Sequence, residues 1–240
     1  MNNKNLKVPQ FDQETSFSCI PACLQQVFGC YEKQISQKEI LKSLKKPKRG
    51  MSIPKAGTFV KRYGFNSLII TNNIHIFDPT WFKLNNIELI NNLKKRRRFV
   101  DKYNQSLIDD YLEYLKANGQ LKFDTISLDL FIKYLSINIP IIVELASTFL
   151  YRKSKAIKTD KFNDSIKGKI EGHGVVIAGF NKNKLKVVDP NYKNNPFNER
   201  GIYWIRAEDL IASIFILEGK SLLLIQNSKI ERKNLTCAKI

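Results

Sequence analysis

Apolar residues recur along this chain with two periods, and the changes of period mark its elements. The first third reads as helices. One should begin near Cys19, with Ser18 as cap, Pro21 in the first turn, where amides have no intrahelical partner, and Gly29 as its end. Ala22, Cys23, Val27 and Phe28 give it an apolar face. Ser36-Gln37-Lys38-Glu39 is a capping-box pattern ahead of Ile40, Leu41 and Leu44. A third helix fits 53–63, with Ser52 as cap, Pro54 in its first turn and Gly64 as terminator. Residues 65–71 then read as a strand.

The stretch 72–124 differs. Residues 86–100 and 106–117 read as two amphipathic helices, the second stopped by Asn118-Gly119, so a helical insertion is expected here. Ser127 caps a helix running to Leu135, and 140–145 is a short buried strand. Residues 151–170 are Lys-rich without apolar periodicity and are expected to form a mobile loop. Residues 174–180 and 185–188 form a hairpin around Asn181-Lys182-Asn183-Lys184. After a loop at 189–201, strands are expected at 201–206 and 221–226, with a short helix from Glu208 between them. Helices first and antiparallel strands afterwards make an α+β fold, a helical layer packed on a mainly antiparallel sheet. We expect one domain over 1–226, with 72–124 inserted, and a tail at 227–240.

Composition adds limits. A chain of 240 residues can bury a substantial core, and 43% hydrophobic content argues against wholesale disorder. No apolar run reaches the roughly 18–20 residues needed to span a bilayer. The first seven residues, Met-Asn-Asn-Lys-Asn-Leu-Lys, lack the apolar stretch of a secretory signal, so a cytoplasmic location is expected. Four cysteines do not make a disulfide framework in a chain of this size. The net charge is +18, and basic runs occur at Lys45-Lys46-Pro47-Lys48-Arg49 and Lys94-Lys95-Arg96-Arg97-Arg98. A solvated surface in a Lys- and Asn-rich chain accounts for this. The functional alternative is a weak nucleic-acid or acidic-partner contact through Lys94, Lys95, Arg96, Arg97 and Arg98.

The chemistry lies in two separated motifs. Gln13-Glu14-Thr15-Ser16-Phe17-Ser18-Cys19-Ile20-Pro21-Ala22-Cys23-Leu24 stands near the start, and Gly172-His173-Gly174-Val175-Val176 stands far downstream, closed by Val188-Asp189-Pro190. A cysteine, a distant histidine and an acid to orient it are the parts of a nucleophile–base–orienter set. A helix N-terminus and a neighbouring imidazolium both favour the thiolate, and Cys19 meets the first condition. Cys23, one turn on, should face the core. The hairpin puts His173 and Asp189 at the same end. His75, with Asp78-Pro79 behind it, mimics the signal but stands outside the sheet pattern. Gln13 offers an amide to an oxyanion, together with the Cys19 N–H. Cys19, Cys23 and Cys30 share a helical face but lack the paired spacing of a closed zinc site, so no metal and no cofactor are expected.

These motifs resemble the papain-like cysteine peptidases that process double-glycine bacteriocin leaders, and their stand-alone relatives. Gln13 and Cys19 match the family's Gln and Cys, Cys19 to Leu24 is similar to its Cys-Gly-x-Ala-Cys-Leu, and His173 and Asp189-Pro190 match its His and Asp-Pro. The helix-then-Pro-x-Ile pattern before the histidine strand is present in 128–143, and Ser147 to Tyr151 resembles a segment of the stand-alone relatives. The resemblance covers about 10–70 and 125–226, and implies a papain-like fold and a thiol hydrolase acting on a peptide or protein substrate. Ile20 stands where the pattern has glycine and is expected to narrow the cleft beside Cys19. Acyl transfer through the same triad, a non-catalytic peptide-binding module, and a nucleic-acid-binding protein are the other readings.

Overall fold

A computed structural model describes residues 3–44, 50–158, 162–191, 193–198, 200–217 and 219–227. The basic run 45–49 and the tail beyond residue 227 lie outside the described residues, as does Cys237.

In chain order the elements are β1 (Lys4–Asn5), α1 (Cys19–Cys30), α2 (Gln37–Lys42), α3 (Ile53–Lys61) and β2 (Phe65–Thr71). A 3-10 turn at Pro79–Lys83 leads to α4 (Asn86–Arg96), a second such turn at Arg97–Phe99, α5 (Lys102–Lys116) and β3 (Gln120–Phe123). Then follow α6 (Leu128–Ser136), β4 (Ile141–Ala146), α7 (Ser147–Leu150), β5 (Ala156–Lys158) and β6 (Phe162–Asn163). The chain closes with β7 (Gly172–Asn181), β8 (Lys184–Val188), β9 (Ile202–Arg206), α8 (Ala207–Ile216) and β10 (Ser221–Asn227).

The main sheet has eight strands among the described residues, in the order β3-β2-β10-β4-β7-β8-β9, with β1 added beside β7. Every pairing in it is antiparallel except that of β3 with β2. Helix α1 packs on β7 and β4, and α3 packs on β2 and β10. The fold is thus α+β, with the expected helical layer on a mainly antiparallel sheet. Helices α6 and α8 also pack on the sheet, so the helical contribution is not confined to the N-terminal third.

Local chemistry explains most boundaries. The Ser52 and Ser127 hydroxyls accept from the Lys55 and Leu130 amides and start α3 and α6 as expected. Ser36 caps α2, while the Glu39 carboxylate accepts from the Tyr63 hydroxyl. Two expectations about α1 change. The Ser18 hydroxyl turns back to Thr15, accepting from its amide and donating to its carbonyl, and makes no cap bond. Gly29 lies inside the helix, where a Cβ would stand 2.7 Å from Pro9 Cγ. Its lack of a side chain serves the approach of the N-terminal arm. On the other side of α1, Phe28 is fully buried against Phe59, Tyr63 and Phe65, with ring centroids 4.9–6.5 Å away. Truncating such a ring costs about 3–5 kcal/mol.

The 72–124 stretch contributes more than helices. Its last part, β3, extends the sheet in parallel with β2. The Tyr114 hydroxyl holds it there, donating to the Ser67 carbonyl at 2.9 Å and accepting from the Gln120 amide at 3.1 Å. Helix α5 begins earlier than the periodicity suggests, because Asp101 caps it through the Tyr103 and Asn104 amides. The Lys-rich stretch 151–170 includes a small hairpin, β5 with β6, bridged onward to Lys169.

Candidate active site

The site is assembled where α1 starts and β7 begins. Val176 pairs with Val188, so the start of β7 and the residue after β8 meet at one end of the hairpin. There His173 Nε2 and Asp189 Oδ1 are 2.8 Å apart. Asp189 is fully buried and His173 nearly so. Cys19, the first residue of α1, is partly exposed, and its thiol lies close enough to the imidazole to raise its pKa. With Nε2 committed to Asp189, Nδ1 is the ring nitrogen left for the thiol. The structure therefore brings Cys19 to His173 and Asp189, which lie more than 150 residues further along the chain.

Asp189 is held by more than the imidazole. The Tyr151 and Tyr203 hydroxyls donate to Oδ2 at 2.6 and 2.7 Å, and the Asn191 amide donates to Oδ1 at 2.8 Å. The last is an Asx turn, a local closure that Asp-Pro-Asn sequences favour. Burial alone would raise the carboxyl's pKa, but the adjacent His173, Tyr151 and Asn191 outweigh it and hold the carboxyl below its usual range. Burial and the Asp189 charge push both phenols well up, so they remain donors. For His173, burial works against the charged form, yet Asp189 and Cys19 raise its pKa from 6.5 to about 10. Phe197 packs on both tyrosines, with ring centroids 6.1 Å from Tyr151 and 4.6 Å from Tyr203.

Gln13 reaches the same end of the molecule. Its backbone N–H donates to the Pro190 carbonyl at 2.7 Å, next to Asp189. Two buried glutamines fix the loop that carries it. Gln26 donates to the Phe11 carbonyl, while Gln37 donates to the Asp12 carbonyl and accepts from the Glu14 amide. Gln13 Oε1 is buried without a hydrogen-bond partner among the described residues.

Ile20 does not narrow the cleft as expected. It is buried, and a Cβ on Gly174 would stand 2.4 Å from its Cδ1. The side chain goes inward, into space left by the glycine beside His173. Cys23 is fully buried, and burial raises its thiol pKa well above the ordinary value, which keeps it protonated. His75 is exposed on the 72–124 stretch. Among the described residues no group of His, Cys, Asp and Glu is placed to hold a metal ion.

Tyr151, Tyr203, Gln26 and Gln37 were not legible as site residues. The Asp-Pro-Asn turn was the one local signal of how Asp189 is held. The tyrosines meet it only through the pairing of β9 with β8 and the path of α7, which the sequence does not display locally.

A thiol beside a buried His–Asp pair, at the junction of a helix and an antiparallel sheet, defines a cysteine peptidase of papain-like architecture. The Peptidase_C39 like family matches residues 5–210, and the chain belongs to it. Among solved structures, a protein assigned as a C39-like peptidase from Bacillus anthracis is similar in fold, with a TM-score of 0.53 at 10% identity over 94% of this chain and 98% of that one. The peptidase domain of Streptococcus ComA, a bifunctional ABC transporter of a quorum-sensing pathway, gives 0.42 at 14% identity, covering 90% and 96%. Xylellain, a cysteine protease from Xylella fastidiosa, gives 0.45 at 14% identity, covering 93% and 85%. No curated protein matches the chain.

Proposed function

We propose that the protein hydrolyses a peptide or amide bond through a thioester on Cys19. His173 holds the thiol proton as an imidazolium, and the Cys19 thiolate attacks the substrate carbonyl carbon. The Cys19 N–H at the start of α1, with the Gln13 side-chain amide, stabilises the oxyanion. His173 then gives its proton to the leaving amine as the C–N bond breaks. Water, deprotonated by His173, releases the acid and restores the thiol. Asp189 keeps the imidazole in one tautomer and stabilises its charged form. The buried His173–Asp189 contact beside the Cys19 thiol is the observation that carries this reading. Free thiols at Cys19, Cys23 and Cys30 support a reducing, cytoplasmic setting.

The test is labelling with a thiol-directed peptidyl electrophile, mapped by mass spectrometry, on wild type and His173→Ala. Fast labelling of Cys19 that falls sharply in the variant is expected. Labelling of Cys19 that is no faster than that of Cys30, or indifferent to His173, overturns the proposal.

A further inference from the structure

We propose that the corner between α4 and α5 docks on an anionic lipid bilayer. This corner reverses the usual placement of apolar groups. Phe99 is 76% exposed, Ile74 60% and Tyr103 58%. Helix α4 buries Leu89 and Leu93, while these three side chains stand outside the core. Two contacts define the corner. Arg96 donates to the His75 carbonyl at 2.9 Å and so brings the Ile74 loop to the end of α4. Arg97 makes a two-point contact with Asp109 at 2.7 and 2.9 Å and ties that end to α5.

The charges around these apolar groups are mostly positive. Residues 94–109 contain Lys94, Lys95, Arg96, Arg97, Arg98 and Lys102, against two carboxylates, Asp101 and Asp109. Asp101 caps α5 and Asp109 pairs with Arg97, so both are already engaged. Lys94, Lys95, Arg98 and Lys102 are exposed. Along α4, Ile87 and Lys94 share one outward stripe with Asn91, at spacings of four and three, and Ile87 is 73% exposed. Cations flanking exposed aliphatic and aromatic groups match the lipid interface, where headgroup charge attracts the former and the acyl boundary takes the latter. Nucleic acid would use the same cations, with aromatic rings to stack bases, but Ile74 and Ile87 have no stacking face. Among the described residues no helix is long and apolar enough to cross a membrane, so the contact is peripheral.

Sedimentation of the full chain with vesicles tests this. Binding to phosphatidylcholine vesicles containing phosphatidylserine, and little to phosphatidylcholine alone, is expected. Phe99→Ser with Ile74→Ser, which leaves the charge unchanged, should weaken binding by about tenfold. Lys94→Glu with Arg98→Glu should abolish it. Both variants should keep the wild-type labelling rate at Cys19, which shows that they fold. Equal binding to neutral and anionic vesicles overturns the proposal. So does charge-dependent binding that ignores Phe99 and Ile74, or a single-stranded oligonucleotide bound in preference to vesicles.

Discussion

At the β7–β8 end, a carboxylate and an imidazole lie inside the apolar core; at the α4–α5 corner, two aromatic rings and an isoleucine stand outside among cations. Neither arrangement follows the rule of apolar groups inside and polar groups outside. Burying Asp189 is tolerable only because four groups hydrogen-bond to it, His173, Tyr151, Tyr203 and Asn191. Exposing Phe99 forgoes its burial. Where a sequence departs from inside-apolar, outside-polar, the departure points to use. The two regions differ in how tightly the use is specified. The buried site fixes distances between atoms, whereas the corner fixes only a mixture of charge and apolar area.

The largest test of that contrast separates two thiols one helical turn apart. Cys19→Ala should lower turnover of a peptide substrate by roughly a thousandfold or more, with the thermal midpoint essentially unchanged. Cys23→Ala should do the reverse, costing about 1 kcal/mol as a small core truncation and leaving turnover close to wild type. Equal loss of activity in both would mean that α1 contributes packing and not a nucleophile.

Next in size is Asp189→Asn. The two tyrosine hydroxyls and the Asn191 amide all donate to this group, so an amide NH2 would face a donor whichever way it turns. We expect a loss of about 2–4 kcal/mol in chemical denaturation. Cys19 labelling should slow by roughly a hundredfold or more. Full retention of both would show that the charge on Asp189 has no part in the network.

The dependence on pH sharpens the same point with a smaller effect. His173 has a pKa raised in the fold from 6.5 to about 10. Its charged form therefore contributes stability that is complete below about 6.5 and is lost as pH rises toward 10. Asp189 is lowered from 3.8, so its contribution is present above that value and lost as pH falls below it. The urea midpoint of wild type relative to His173→Gln should decline between pH 6.5 and 10. A constant difference would show that the imidazole is neutral in the folded protein.

What could be read from the sequence, and what could not, follows the range of the interactions. The bounds of β2 and the caps of α3 and α6 are local, carried by residues within three or four positions, and were legible. Cys19, His173, Asp189 and Gln13 are proposed from residue type and order. Strand β3 was not legible, because four residues with alternating partial exposure carry no strong pattern and their partner lies some fifty residues back. The clamp on Asp189 was hidden for the same reason, since Tyr151 and Tyr203 are ordinary aromatic positions until the sheet is assembled. Gln26 and Gln37 look like surface residues until the loop they bind is in view.

The smallest effect tests how Ile20 was accommodated after the nucleophile. Its side chain fills the space that Gly174 leaves next to His173, so the two positions form one packing unit across α1 and β7. Gly174→Ala would put a methyl 2.4 Å from Ile20 Cδ1, so that either the isoleucine side chain or one of the two elements must shift. We expect a cost of about 1–3 kcal/mol and slower labelling of Cys19, because the shift carries both ends of the thiol–imidazole pair. Ile20→Val removes that Cδ1 and should restore much of both losses when added to Gly174→Ala, although alone it should cost about 1 kcal/mol. Such rescue, read as a coupling energy in a double-mutant cycle, would show that the bulky residue after Cys19 sets the distance between helix and strand. Simple addition of the two losses would place the strain of Gly174→Ala elsewhere on β7 and remove Ile20 from the geometry of the site.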